Sequence, residues 1–293
     1  MRKIPPSELV INGDGSVFHL HLLPGQVAET VVLVGDPGRV DVVASYFDVI
    51  ESRSANREFV STTGTYNGKR ITVLSTGIGT DNIDIVVTEL DALFNVDFET
   101  RTEKKQKTTL TLLRLGTSGA LQPDVKIGDL VFARTSVGFD GLLNFYKGRD
   151  EVCDLAMEQA FMEHTQWGRL LTKPYFVNAD EDLRKLFADS TIDGITVSAP
   201  GFYGPQGRWV RLEPADPDLN SKIESFVYNG RKITNFEMES SALAGLSRLM
   251  GHRAATICAI IAQRVDKGMN TDYKPFVDKM ITMSLDKLAA VRD

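Results

Sequence analysis

Between residues 30 and 135 the chain alternates short, wholly apolar runs with polar breaks that carry glycine. Val31-Val32-Leu33-Val34 stops at Gly35-Asp36-Pro37, and Ile71-Thr72-Val73-Leu74 stops at Ser75-Thr76-Gly77-Ile78-Gly79. Runs this short with no polar face read as strands buried on both sides, because a strand with one wet face would alternate. The Asp-Pro-Gly group after the first run opens a helix. Ile83, Val86, Val87 and Leu90 recur at helical spacing, which predicts a helix through about Phe94. A third strand, 110–115, ends at Gly116-Thr117-Ser118-Gly119, and a fourth covers 128–133. The second half is less regular until Ile195-Thr196-Val197-Ser198, a strand that leads into Phe202-Tyr203-Gly204-Pro205-Gln206-Gly207-Arg208. Leu243, Leu246 and Leu249 give a helix from Met238 to Met250. Ala254 to Ala262 reads as a last buried strand, and an amphipathic helix follows Lys274.

Strands in alternation with helices argue for one α/β domain around a central, largely buried sheet. In such folds the polar loops at strand carboxyl ends are where ligands bind. Residues 1–16, with Pro5, Pro6, Gly13 and Gly15, read as an irregular arm ahead of a domain spanning 17–293. The charged stretch 99–108 reads as a solvated loop. Internal repeats and low-complexity linkers are missing from the sequence.

Composition narrows the function. A formal net charge of −6 gives no support to a nucleic-acid or anionic-membrane surface, so any anion site must be local. The two cysteines, Cys153 and Cys258, sit far apart in apolar stretches and read as free thiols of a reducing compartment. No apolar run reaches membrane-spanning length and the first residues lack a signal-peptide core, so a cytoplasmic protein is expected.

Three strand ends place small residues beside an arginine or hydroxyl: Gly35 with Arg39, the Ser75–Gly79 loop, and Arg114 with Thr117 and Gly119. Glycine lets backbone N–H groups approach an anion, and arginine adds a planar fork of donors. The Walker lysine loop and the dinucleotide glycine fingerprint are both missing, which disfavours nucleoside triphosphates and nicotinamide cofactors. Glu237 and Glu239 lie two residues apart where a strand gives way to a helix. A carboxylate there can accept from both hydroxyls of a diol, or Glu239 caps the helix while Glu237 is solvated. Gln206 and Arg208 can together read a pyrimidine edge, through an amide donor and acceptor and a guanidinium that meets carbonyl oxygens. On composition alone that segment is equally a surface turn. His21, His164 and His252 have no metal-ligand spacing, and Trp167 and Trp209 read as packing residues.

Taken in order, these pieces resemble the purine nucleoside phosphorylase/uridine phosphorylase family (nucleoside phosphorylase-I), and most of all its bacterial-type uridine phosphorylases. The stretches that carry the resemblance are Phe18-His19-Leu20, Gly35-Asp36-Pro37-Gly38-Arg39-Val40, Arg57-Glu58-Phe59 and Ser75–Gly79. They continue with Arg114–Ala120, Gly128-Asp129, Phe202-Tyr203 with Gln206 and Arg208, and Asn235-Phe236-Glu237-Met238-Glu239-Ser240. The resemblance implies a single-domain, three-layer α/β/α fold around a mixed, partly barrel-like sheet. It implies phosphorolysis of a pyrimidine nucleoside, uridine above others, with inorganic phosphate as co-substrate and no organic cofactor.

Position by position, it implies that Gly35, Arg39, Arg114 and Thr117 hold phosphate, with Arg57 reaching in from a neighbouring subunit. Met238 and Glu239 would hold the ribose hydroxyls, and His19, also from the neighbour, the 5′-hydroxyl. Phe202 would pack on the base, Gln206 and Arg208 would bind its edge, and Ile261 and Ala262 would line the pocket. Arg114, Gln206 and Arg208 would carry catalysis. The family implies a homo-oligomer, a dimer as the minimum active unit and commonly a hexamer. It also offers a monovalent cation such as K+ at the dimer interface, on Glu58, the Ile78 carbonyl and Asn82. Two rivals differ in what they require. A purine-specific relative carries an aspartate just after the last sheet strand, yet here no carboxylate comes before Asp266. A non-catalytic nucleoside-binding protein of the same fold would have lost its phosphate ligands, yet the arginines, Thr117 and Glu239 are present.

Overall fold

In the computed structural model, which describes residues 2–264 and 268–291, every position of the first strand is buried, as its unbroken apolar run requires. In chain order the elements are β1 (Thr30–Val34), α1 (Pro37–Ala44), β2 (Val49–Asn56), β3 (Phe59–Tyr66), β4 (Lys69–Ser75), α2 (Thr80–Asn95), and the short strands β5 (Val96–Asp97) and β6 (Thr102–Glu103). Then come β7 (Thr111–Ala120), β8 (Leu130–Gly138), α3 (Arg149–Val152), α4 (Leu155–Thr165), β9 (Tyr175–Asn178), α5 (Glu181–Phe187) and β10 (Ile192–Ser198). The chain finishes with α6 (Leu219–Ser225), β11 (Val227–Tyr228), β12 (Arg231–Glu237), α7 (Ser240–Met250), β13 (Arg253–Gln263), β14 (Gly268–Met269) and α8 (Lys274–Ala290).

Alternation along β1 sends Val31 and Leu33 to one face of the sheet and Val32 and Val34 to the other. The first pair packs with Ile83, Val86 and Leu90 of α2 and Leu243 and Leu246 of α7. The second packs with Val40 and Val43 of α1 and Met280, Ile281 and Leu285 of α8. Helices therefore cover both faces, which gives the three layers the resemblance implies.

The sheet is mixed. Strands β4, β1, β7 and β13 run parallel, β2 and β3 add an antiparallel hairpin at one edge, and β8 runs antiparallel to β13 and parallel to β10. Glycines 116 and 119 read in the sequence as the end of a strand, but β7 continues through them to Ala120. Its far end leaves β1 and pairs antiparallel with β12, Gly119 opposite Phe236 and Ala120 opposite Asn235. This pairing closes β7, β12, β10, β8 and β13 into a ring, the barrel-like part of the sheet. Gly116 stays in the strand because a Cβ there would lie 2.3 Å from Nη1 of Arg114. It marks a close approach of a functional side chain, not a turn.

Two further differences from the sequence reading have simple causes. The β2–β3 hairpin escaped notice because β2 is a polar edge strand, exposed or half-exposed throughout. The irregular stretch after residue 138 holds α4, β9 and α5: Met157 and Phe161 of α4 and Phe176 of β9 join a third core, with Phe161 against both Phe176 and Phe226, while Leu183 and Phe187 of α5 join the core under α1 and α8. The amino-terminal segment and residues 97–103 dock on one another. Ile4 N–H donates to the Arg101 carbonyl at 2.7 Å, Arg101 Nε donates back to the Ile4 carbonyl at 2.9 Å, and Leu9 is buried against Ala92 and Val96. The charged stretch is thus partly a docking platform, with its lysines left in solvent. No helix among the described residues is long and apolar enough to cross a membrane.

Candidate active site

A cavity of about 670 Å³ opens at the carboxyl ends of β1, β7, β12 and β13 and beside the loop after β4. Each strand ends in residues small or kinked enough to leave room. Gly35 follows β1, and a bulge in β13 between Ile260 and Ala262 turns Ile261 out of register and into the cavity wall. The structure brings together Gly35, Arg39, Ile78, Arg114, Thr117, Phe202, Gln206, Arg208, Met238 and Glu239 around this one space.

Arg114 is at its centre. It lies on the same face of β7 as Leu112, and only 5% of it is exposed. Nη1 donates to Glu237 at 3.3 Å and Nη2 to Glu239, while Nε is buried without a partner. Burial works against its charge, but Glu239 and Glu237 outweigh it and hold the guanidinium pKa above its ordinary value. Arg39 is placed by α1, whose Asp36 cap accepts from Gly38 N–H at 2.9 Å. Its Nη1 donates to the Leu115 carbonyl at 3.2 Å. Burial first, and the like charge of Arg114 second, pull the Arg39 pKa down. Two guanidiniums held this way, one with an orphaned donor, are stabilised by an anion between them.

The two carboxylates have roles opposite to the simplest sequence alternative, in which Glu239 caps a helix and Glu237 is solvated. Glu237 is buried and accepts from Ser198 Oγ at 2.5 Å, Ser240 Oγ at 2.7 Å, Glu239 N–H at 2.9 Å and Ser240 N–H at 3.0 Å. It therefore caps the first turn of α7 and fixes Arg114. Glu239 makes no cap; it accepts from Arg114 and from Gly79 N–H at 2.7 Å. Burial raises the Glu239 carboxyl above the usual glutamate range, against the pull of Arg114. Each of its oxygens keeps one lone pair, so it remains able to accept from a diol.

Across the cavity, Gln206 is buried in a single 3-10 turn and Arg208 is half-buried. Arg208 Nη1 donates to Gln206 Oε1 at 2.6 Å and to the Phe202 carbonyl at 2.5 Å, and its guanidinium lies 3.7 Å from the Phe202 ring centre. Burial lowers the Arg208 pKa. The turn depends on Gly207, at φ 67°, where a Cβ would meet the Asn220 side chain at 2.2 Å. Asn220 in turn donates to the Gln206 carbonyl at 3.0 Å.

Sequence reasoning did not single out Arg264, which follows β13. Its Nη2 donates to the same Gln206 carbonyl, and its guanidinium lies 5.4 Å from the Phe236 ring centre. Burial, and then the like charge of Arg208, lower its pKa to about 10. Ser198 was seen only as a strand end. No local signal distinguishes either residue, because both act across the closed ring. Gln263 turns away from the cavity to the Gln122 and Val125 carbonyls, at 2.9 and 2.8 Å. Asp266 lies outside the described residues. Trp209 is exposed and does not line the cavity, while Trp167 packs on Phe139 and Phe161.

His19 and Arg57 do not line this cavity. They gather with Phe18: its ring lies 4.8 Å from that of His19 and 6.0 Å from the Arg57 guanidinium. His19 Nδ1 meets Glu89 at 2.6 Å, and Asn56 donates to the His19 carbonyl at 2.7 Å. Arg57 sits at the tip of the β2–β3 hairpin at φ 54°, the left-handed conformation that a two-residue hairpin turn requires. Glu58 and Asn82 do meet, Asn82 Nδ2 donating to Glu58 Oε1 at 3.2 Å. No group of three or more His, Cys, Asp or Glu among the described residues could hold a metal ion.

Comparison with known proteins agrees with this geometry. A uridine phosphorylase of Thermococcus kodakarensis is 33% identical over 260 residues, covering 86% of this chain and 79% of that one. A DeoD-type purine nucleoside phosphorylase of Thermoanaerobacter is 31% identical over 200 residues, covering 64% of this chain and 79% of that one. Among solved structures, a Trypanosoma brucei nucleoside phosphorylase described as showing uridine phosphorylase activity superposes with a TM-score of 0.87 at 30% identity, over 97% of this chain and all of that one. The family model of the phosphorylase superfamily matches residues 29–291, and the chain belongs to that superfamily.

Proposed function

We propose that this protein is a pentosyltransferase that cleaves uridine with inorganic phosphate, giving uracil and ribose 1-phosphate. The observation that carries the reading is the Arg208–Gln206 pair, bonded at 2.6 Å on the base side of the cavity. Along its edge uracil presents an acceptor, a donor and an acceptor. Arg208, Gln206 Oε1 and Gln206 Nε2 present a donor, an acceptor and a donor. The uridine phosphorylase relatives at 33% and 30% identity support the same substrate.

The site residues divide the work. Phosphate sits at Gly35, Arg39, Arg114 and Thr117, relieving the repulsion between the two arginines. Glu239 and Met238 hold the ribose hydroxyls, so the phosphate oxygen faces C1′. As the bond to the base nitrogen breaks, positive charge grows on the sugar beside phosphate and negative charge on uracil beside Arg208. Fixed donors aimed at developing charge are worth about 3–4 kcal/mol each, and holding the two reactants together adds to this. Phe202 packs on the base, and Ile261 and Ala262 close the pocket wall.

Arg57 and His19 complete the site from a neighbouring copy, which makes a dimer the smallest active unit. Cys153 and Cys258 are both free thiols, in keeping with a cytoplasmic protein.

The purine phosphorylase relative keeps the purine reading in view. Against it, the carboxylates lining the cavity are Asp36, Glu237 and Glu239, on the phosphate and ribose sides. On the base side β13 ends at Gln263, which turns away from the cavity, and Arg264 follows. Among the described residues, a purine leaving as its anion would find no acid for N7. Base release from uridine, thymidine, inosine and adenosine, each with and without phosphate, tests the proposal. Phosphate-dependent release of uracil is expected; faster release of hypoxanthine or adenine would overturn the base assignment.

A further inference from the structure

At the opposite end of β12 from Glu237 lies a second cleft, of about 480 Å³. Four arginines from four different elements converge on it: Arg134 of β8, Arg184 of α5, Arg231 of β12 and Arg248 of α7. The strand separates Arg231 from Glu237 by six residues, roughly 20 Å, so this cleft is distinct from the active site.

The carboxylates around it do not balance the four charges. Arg184 takes Asp193 at 2.8 Å and Glu181 at 2.9 Å, and Arg134 shares the same Asp193 oxygen at 3.6 Å. Asp180 accepts from Leu183 N–H at 2.9 Å and faces Arg253 at 3.5 Å, outside the group. His252 is committed to Leu110 N–H and Asp91. The Arg231 side chain donates only to the Thr135 hydroxyl, at 3.1 Å, and the Arg248 side chain has no hydrogen bond or ion pair among the described residues. Two guanidiniums are thus left without a counter-charge in one polar cleft of a chain whose net charge is −6.

We infer that this cleft binds a phosphate monoester of a small polyol. A dianion matches the two uncompensated charges, and its tetrahedral oxygens match guanidinium forks converging from several directions. The volume is within the range of small-molecule sites and leaves room for a sugar beside the phosphate. Asn178, on the same wall, accepts from the Thr135 hydroxyl at 2.7 Å and keeps its Nδ2 donors for the hydroxyls of a ligand. The ester enters by its phosphate, and its carbon skeleton occupies the rest of the cleft.

Calorimetric titration with ribose 5-phosphate tests this in an Arg39→Ala parent, which removes phosphate binding at the catalytic cavity. The parent is compared with its Arg231→Ala/Arg248→Ala variant and with its Arg2→Ala/Arg169→Ala variant, which removes the same charge elsewhere. Inorganic phosphate and ribose serve as separate probes, and thermal melting checks that each variant folds. Loss of two charge-assisted contacts predicts affinity at this site lower by at least about tenfold in the Arg231/Arg248 variant, with the control unchanged. Ribose should bind neither protein here, and inorganic phosphate should bind more weakly than the ester. Equal binding by the parent and the Arg231/Arg248 variant overturns the inference. So does an equal loss in the control, which would mark general electrostatics. Inorganic phosphate as tight as the ester would overturn the assignment of an ester.

Discussion

Replacing Glu237 by glutamine tests the placement of Arg114 without changing the volume of the core. The carboxylate accepts from two serine hydroxyls, two backbone amides and Arg114. In Glu237→Gln the amide group is best accommodated toward Ser198 and Ser240, whose hydroxyls can turn to accept. Arg114 then loses one of its two flanking charges while remaining buried. Removing one partner of a buried ion pair costs about 3–5 kcal/mol, and the retained amide oxygen limits the loss to about 3 kcal/mol. Unfolding entropy of roughly 2 cal/mol/K per residue over 293 residues gives about 0.6 kcal/mol per degree. The expected fall in Tm is therefore roughly 5 °C. A misplaced Arg114 should also lower kcat/KM for uridine by on the order of tenfold to a hundredfold. Differential scanning fluorimetry and initial rates read the two effects. A Tm within roughly 1 °C of wild type, with unchanged kcat/KM, would refute the claim that Glu237 fixes Arg114.

Arg208→Ala should cut turnover of uridine by about 10²-fold with the melting temperature preserved, as for loss of one preorganised donor; an unchanged rate would remove Arg208 from the base site. Arg264→Ala should raise KM for the nucleoside about tenfold, because the Gln206 turn loses a charge-assisted bond, while KM for phosphate stays the same; equal effects on both would place Arg264 elsewhere. The pH profile should carry an acid limb from Glu239. Burial raises its pKa, the ionised form accepts the ribose hydroxyls, and activity is present above that pKa and lost as pH falls through it. The limb should therefore lie above the range of an ordinary glutamate and disappear in Glu239→Gln.

What the sequence revealed follows a physical line. The loops at Gly35 and Gly77 were legible because apolar runs, capping residues and glycines are local signals. The reversed roles of Glu237 and Glu239 were not, since they depend on Ser198 and Gly79, which come from other elements. Arg264 was hidden for the same reason: its contact with Gln206 arises when β13 and the loop after β10 meet at the ring. Gly116 misled because a glycine that makes room for Arg114 looks, in one dimension, like a turn. Arg57 and His19 were found only through the family resemblance, and within one chain they stand apart from the cavity they are proposed to complete.

Phosphorus NMR of the protein incubated with uridine and inorganic phosphate tests the central claim most directly. The account predicts a new phosphate monoester signal, ribose 1-phosphate, growing in step with released uracil. Uracil released with free ribose, and no phosphate consumed, would contradict it.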